Sequence, residues 1–202
     1  MPFKQAVIAA IVACATQVFA SDWPAGSTEW DKLPAVKVSK AALYMTPQQA
    51  HDAKQREPHK VALFDVRTRA EAMYVGIAPT VDALIPYVEH QEIMVDWDDK
   101  RQMYKLEPNP EFETELLRRL TAMGLSKNDV IILMCRSGDR SSKAADRLLM
   151  SGYTQVYSVA EGFEGDTAKA GTQAGHRVVN GWKNAGLPWN YKLDKAKAYF
   201  PR

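Results

Sequence analysis

Two kinds of apolar pattern alternate along this chain. Lys60–Val66 (KVALFDV) and Val130–Met134 (VIILM) are short, nearly continuous apolar runs, the pattern of central strands covered on both faces. Gln155–Val159 (QVYSV) reads as a third strand. Between them the apolar positions change spacing. Leu116, Leu117, Leu120 and Met123 fit one face of a helix begun at Asn109-Pro110 and closed by Gly124, and Ala144, Ala145, Leu148 and Leu149 make the buried stripe of another that ends at Gly152. Thr46-Pro47-Gln48-Gln49 is a capped helix start, with Pro at the first helical position and Gln three residues after the cap, and this helix should run to about Arg56. His176–Gly186 (HRVVNGWKNAG) reads as a last helix, stopped by Gly186 and Pro188. Strands alternating with helices predict an open α/β sheet of mainly parallel strands with helices on both faces. His90–Pro110 interrupts the alternation as an added excursion, a hairpin turning near Asp98-Asp99. There is no internal repeat and no low-complexity segment.

Composition narrows the picture. At 202 residues and 46% hydrophobic content the chain can bury one substantial core, hence one domain. A formal charge of +2, with no basic run, offers no nucleic-acid or membrane surface. Residues 1–20 carry Lys4, an apolar stretch from Ala6 and small residues at Val18 and Ala20, the pattern of a signal peptide cut after Ala20. The apolar run is shorter than the ~20 residues that a membrane span needs. Export to a bacterial periplasm without stable membrane insertion is therefore expected, with lipid attachment at Cys14 as the alternative. Residues 21–40, with Pro24, Gly26 and Pro34, read as a linker or an arm lying on the domain; 41–189 form the domain and 190–202 a basic surface tail.

Loss of a signal peptide would leave Cys135 as the single cysteine, unable to form an internal disulfide in an oxidising compartment. Its position gives it chemistry. Ligands in open parallel sheets bind beyond the carboxyl ends of the strands, and Cys135 is the first residue past VIILM. The loop Cys135-Arg136-Ser137-Gly138-Asp139-Arg140 leads into a helix, whose free backbone N–H groups would converge on the sulfur as an anion cradle that favours thiolate. Arg136 and Arg140 would add positive charge and hold an anionic substrate. The alternative for such a cysteine is an inert core residue at a strand end, and for the arginines plain surface charge. Metal ligation is not indicated, because His51, His59, His90 and His176 are scattered without ligand spacing. A Cys135–His176 protease-like pair lacks an orienting residue, and Gly162–Gly165 lacks the ending of a phosphate loop.

Asp65-Val66-Arg67 after VALF, then Glu71 and Gly76, then CRSGDRS and the late GWKNAGLPW resemble the rhodanese family of sulfurtransferases in single-domain, exported form, over Thr46 to Trp189. The resemblance implies a rhodanese fold and no cofactor. By position, Cys135 would carry sulfane sulfur as a persulfide, Arg136, Ser137, Gly138, Asp139 and Arg140 would form the substrate-binding loop, and Asp65 and Arg67 would support it. The partners implied are a small anionic sulfur donor such as thiosulfate and a thiol or cyanide acceptor, with a periplasmic protein acceptor as a further option. The chain departs from the family pattern in GIAPTVDALIPY, which has no histidine, and in the excursion, which reads either as a solvated loop or as a lid or dock in which Trp97 and Tyr104 shape access to Cys135. Two rival readings remain. Cysteine-dependent phosphatases and arsenate reductases use a similar loop, but here the arginine arrives one residue early, at Arg140, making a tighter cradle that suits sulfur better than a tetrahedral phosphate. A rhodanese-fold sulfur carrier or docking module without multiple turnover would use the same persulfide.

Overall fold

The computed structural model describes residues 28–202. The signal-peptide reading, Cys14 and the start of the arm lie outside the described residues. Strand β1 (Tyr44–Met45) enters helix α1 (Pro47–Arg56), whose first turn is closed as the sequence indicates. The Gln49 N–H donates to the Thr46 hydroxyl while the Gln49 side chain accepts the Thr46 N–H, so two otherwise orphaned donors are satisfied. β2 (Val61–Asp65), α2 (Arg69–Val75) and β3 (Ala83–Leu84) follow, and the second half of the domain is α3 (Phe112–Ala122), β8 (Val130–Met134), α4 (Asp139–Met150) and β9 (Val156–Val159). Between the halves lies the excursion, with β4 (Val88–His90), β5 (Trp97–Asp98), β6 (Met103–Tyr104) and β7 (Leu106–Pro108).

The five core strands are all parallel, in the order β1-β9-β8-β2-β3, with Val61 through Asp65 of β2 facing Val130 through Met134 of β8. Side chains alternate between two cores. Val61, Leu63, Ile132 and Met134 pack under α1 and α2 with Ala50, Ala53 and Ala72. Ala62, Phe64, Ile131 and Leu133 pack under α3 and α4 with Leu116, Leu120, Ala145 and Leu148. Full burial of each such Leu, Ile or Phe stabilises by about 1.5–3 kcal/mol. Both central apolar runs are thus covered on both faces, as a parallel sheet requires. The excursion is two antiparallel pairs, β4 with β7 and β5 with β6, and the inner one turns just after Asp98.

Two expectations fail. His176–Gly186 is not a helix but a stretch of bends, with an isolated bridge from Arg177 to Thr167, that ends in turns over 182–186. Its asparagines take the backbone's hydrogen bonds: the Asn184 amide donates to the carbonyls of Glu164, Arg177 and Asn180, and the Asn180 side-chain oxygen accepts the Asp166 N–H. Nor is the end of the chain a surface extension. The Leu84 N–H donates to the Lys197 carbonyl, Tyr199 is buried, and the Arg119 guanidinium donates to the carbonyls of Ala196 and Ala198. The tail covers the outer edge of β3, which would otherwise present unpaired backbone. The described part of the arm lies against α4, where Ser39 donates to Asp146, and the buried Lys37 pairs at 2.8 Å with Asp166 of the segment after β9.

Candidate active site

β2, β8 and β9 all end on the same side of the sheet, so the segments that follow them meet there. Cys135 follows β8 directly and is 1% exposed. Gly138 then turns the chain into α4 with a left-handed φ of 94°, and a Cβ at that position would stand 2.2 Å from the Ala160 carbonyl oxygen. Only glycine fits. The Gly138 N–H donates to Cys135 Sγ at 3.1 Å, and the Ser141 hydroxyl, one turn into α4, lies 3.4 Å from the sulfur. Ser141 Oγ is also 2.8 Å from Ser158 Oγ, a fully buried hydroxyl on β9. The sulfur therefore sits at the N-terminus of a twelve-residue helix, held by one amide and one hydroxyl.

The loop after β9 holds the cysteine loop from beneath. Phe163 N–H donates to the Cys135 carbonyl at 2.8 Å, and the N–H groups of Glu164 and Gly165 donate to the Arg136 carbonyl at 2.9 and 3.1 Å. Gly162 permits the approach, since a Cβ there would lie 2.5 Å from Ser137 N. Asp65 and Arg67 form a salt bridge with both side chains fully buried, the Arg67 Nη2 also donates to the Gly76 carbonyl, and its guanidinium stacks 3.8 Å over the Phe163 ring.

The structure separates the two loop arginines. Arg140 is not a free clamp: it makes a bidentate pair with Glu71 at 2.6 and 2.7 Å, both side chains being largely buried. Glu71 is also the capping residue of α2, accepting the Thr68 N–H. Burial pushes the Glu71 carboxyl up, but the Arg140 guanidinium, the Thr68 N–H and the charge of Arg67 outweigh it and bring it down to about 2. Burial likewise opposes the charge on Arg140, and Glu71 more than compensates, holding it charged beyond the ordinary arginine range. Asp139 pairs with Lys143 along α4. Arg136, by contrast, has its Nε buried without a hydrogen-bond partner. Arg177 stands near enough that burial and then repulsion from Arg136 lower its proton affinity.

A cavity of about 270 Å3 opens over the loop, bounded by Arg136, Asp139 and Arg140 on one side and by β4, Arg101, Met103 and Leu106 on the other. Trp97 and Tyr104 do not line it. They pack edge to face on each other at 5.4 Å, about half exposed, whereas Met103 and Leu106 of the same excursion do line it. Sequence reasoning also missed Ser158 and the role of Glu71, and each left a trace: a serine inside an apolar strand, and a Thr68-x-x-Glu71 capping box. No three His, Cys, Asp or Glu side chains among the described residues gather as metal ligands, and no helix among them is long and apolar enough to cross a membrane.

A parallel α/β sheet whose cysteine loop caps a helix, with a buried carboxylate fixing the loop's second arginine, defines the class. The family model of the rhodanese-like domain matches residues 46–169, and the chain belongs to that family. An uncharacterized protein of Rickettsia conorii is 31% identical over 129 residues, covering 64% of this chain and 82% of its own. The crystal structure of Rv0390 from M. tuberculosis superposes with a TM-score of 0.54 at 29% identity, covering 73% of this chain and 96% of that one. A weaker likeness, with a TM-score of 0.44 at 18% identity over 81% of this chain and 87% of the other, is to the solution structure of a polysulfide-sulfur transferase homodimer from Wolinella succinogenes.

Proposed function

We propose that the protein is a sulfurtransferase of thiosulfate type, working through a Cys135 persulfide. The observation that carries this reading is the sulfur's setting: Sγ accepts the Gly138 N–H at 3.1 Å at the start of α4, beside an arginine, Arg136, whose Nε is buried and unpartnered. In the first step the Cys135 thiolate attacks the outer sulfur of the donor. The donor's S–S bond breaks, sulfite leaves with the electron pair, and the new Cys135 S–S bond carries the sulfane sulfur as a persulfide anion in the helix N-terminal field. In the second, a thiolate or cyanide attacks that outer sulfur and Cys135 leaves as thiolate. No proton or electron is left over. Arg136 pairs with the donor's anionic end, while Arg140, committed to Glu71, positions the loop.

The same reading places this chemistry in an exported chain that begins at Ser21 after cleavage. One experiment tests both parts. Intact mass of the purified protein before and after thiosulfate should show a gain of one sulfur atom that needs Cys135, is absent in Cys135→Ser and is removed by cyanide. Absence of the gain on a reduced thiol refutes the transfer mechanism, and a mature N-terminus other than Ser21 refutes the cleavage site.

A further inference from the structure

Lysine is seldom buried unless its ammonium is paired and its stem has a surface to cover. Lys37, in the arm ahead of the residues 46–169 that the family model matches, is 6% exposed and meets both conditions beside the cysteine loop. Its Nζ lies 2.8 Å from each carboxylate oxygen of Asp166. Its stem lies against Gly138: a Cβ built on that glycine would stand 3.2 Å from Lys37 Cδ, in the same space that the Ala160 carbonyl closes. Gly138 is thus walled in where a side chain would be, while its N–H donates to Cys135 Sγ at 3.1 Å.

The ammonium end reaches the same loop by a second route. Asp166 follows Gly165, whose N–H donates to the Arg136 carbonyl at 3.1 Å. Asp166 is itself fixed, since Asn180 Oδ1 accepts its N–H at 2.7 Å and the Asn180 amide donates to its Oδ2 at 3.2 Å. One side chain therefore bears on both ends of the turn Arg136–Gly138, by packing at the glycine and by an ion pair on the segment that holds the arginine. The arm has anchors of its own on α4: the Ser39 hydroxyl and the Lys40 N–H donate to one Asp146 oxygen at 2.7 and 2.6 Å. Holding the arm down does not call for a buried ammonium, which is costly in itself.

We propose that Lys37 is a positioning residue of the active site, one that keeps the Gly138 N–H on the sulfur, so that the N-terminal arm is part of the catalytic apparatus. An amide already aimed at Sγ needs no reordering when negative charge gathers on the sulfur. Without the ammonium, the Gly165 segment and Gly138 gain freedom together, and the amide meets the sulfur for a smaller part of the time. The use of that amide in sulfur loading rests on the sulfurtransferase reading above; its placement by Lys37 does not.

The test compares the full chain with Lys37→Met, which keeps an apolar stem, with Asp166→Asn, with the double variant and with Ser39→Ala. Two quantities are followed well below each melting temperature: solvent exchange of the Gly138 amide by NMR, and the rate of persulfide loading by mass at saturating thiosulfate. Lys37→Met and Asp166→Asn should each speed Gly138 exchange about tenfold and slow loading about fivefold to tenfold, the range of one net hydrogen bond. The double variant should stay within about twofold of either single one, because both break the same tie. Ser39→Ala loosens the arm away from Gly138, so it should lower Tm and move neither rate by more than about twofold. Failure of the wild type to load overturns the sulfurtransferase reading, and Gly138 exchange then decides the placement by itself. Unchanged Gly138 exchange in both Lys37→Met and Asp166→Asn, loading at the wild-type rate in both, or an equal response to Ser39→Ala overturns the role of Lys37.

Discussion

Replacing Glu71 by Gln keeps the shape of the side chain and an oxygen for the Thr68 N–H, and removes the charge that Arg140 faces together with one of the two oxygens that accept its guanidinium. Its magnitude can be worked in two ways. The Glu71 carboxyl is brought from an ordinary 4.5 to about 2, and at about 1.4 kcal/mol per pKa unit that is roughly 3 kcal/mol of folding stability. Independently, removing one partner of a buried pair costs about 3–5 kcal/mol, and here the side chains of Arg140 and Glu71 are only 14% and 16% exposed. In a chain of this length roughly 3 kcal/mol corresponds to a fall in Tm of about 6–12 °C. The pH dependence carries a definite sign. A carboxylate that binds protons more weakly when folded stabilises fully above its unfolded value of 4.5, and that stabilisation is lost as pH falls toward about 2. Urea denaturation of wild type and Glu71→Gln should therefore differ by roughly 3 kcal/mol at pH 7 and by about half of that at pH 3. A difference that stays constant between those pH values, or that is below about 1 kcal/mol at pH 7, would make this an ordinary surface pair and refute the reasoning.

Two further substitutions probe the loop itself. Gly138→Ala forces a Cβ to within 2.2 Å of the Ala160 oxygen at a φ of 94°, so persulfide loading should collapse and Tm drop by roughly 5 °C or more; normal loading by the variant would show that the loop does not need this turn. Ser158→Ala removes the hydroxyl 2.8 Å from Ser141, leaving the Ser141 hydrogen with less reason to face the sulfur than the Gly138 carbonyl 3.2 Å away. Single-turnover loading should slow between about twofold and tenfold, the range of one net hydrogen bond, and an unchanged rate would remove Ser158 from the site.

What was legible in the sequence is what local pattern controls. VALF and VIILM announce central strands because a strand buried on both faces has no polar side to show, and Thr46-Pro47-Gln48-Gln49 announces a helix because its cap is closed by residues three apart. The same logic misled at His176–Gly186. Val178, Val179 and Trp182 sit at helical spacing, but Val178 and Val179 are exposed, and the segment's backbone is satisfied through Asn180 and Asn184 instead. Tyr199 is buried because the tail pairs with Leu84, more than a hundred residues earlier, and no local pattern contains that contact. In the site, Cys135 and Gly138 could be read from a strand end, a glycine and a helix start. That Arg136 is unpartnered while Arg140 is spoken for could not, because Glu71 reaches Arg140 from a separate helix, 69 positions away in the chain.

The Asp65–Arg67 pair shows how such distant residues govern the sulfur without touching it. Two fully buried charges, held at 2.5 Å, gain little net stability, since desolvation offsets most of their attraction. Their use lies in where the guanidinium is held. Asp65 accepts the Arg67 backbone N–H and its Nε and Nη2, fixing the side chain at the end of β2, and the Gly76 carbonyl takes a further bond from Nη2. The planar group so fixed lies 3.8 Å over the Phe163 ring, a contact worth about 2 kcal/mol when desolvated. Phe163 in turn donates its N–H to the Cys135 carbonyl at 2.8 Å. The ends of β2, β8 and β9 are thereby locked into one frame, and the Gly138 amide meets the sulfur at 3.1 Å because that frame leaves the loop no other course. The cradle is therefore already formed in the folded chain, and the ordering that an unsupported loop would have to undergo on meeting an anion has been completed during folding.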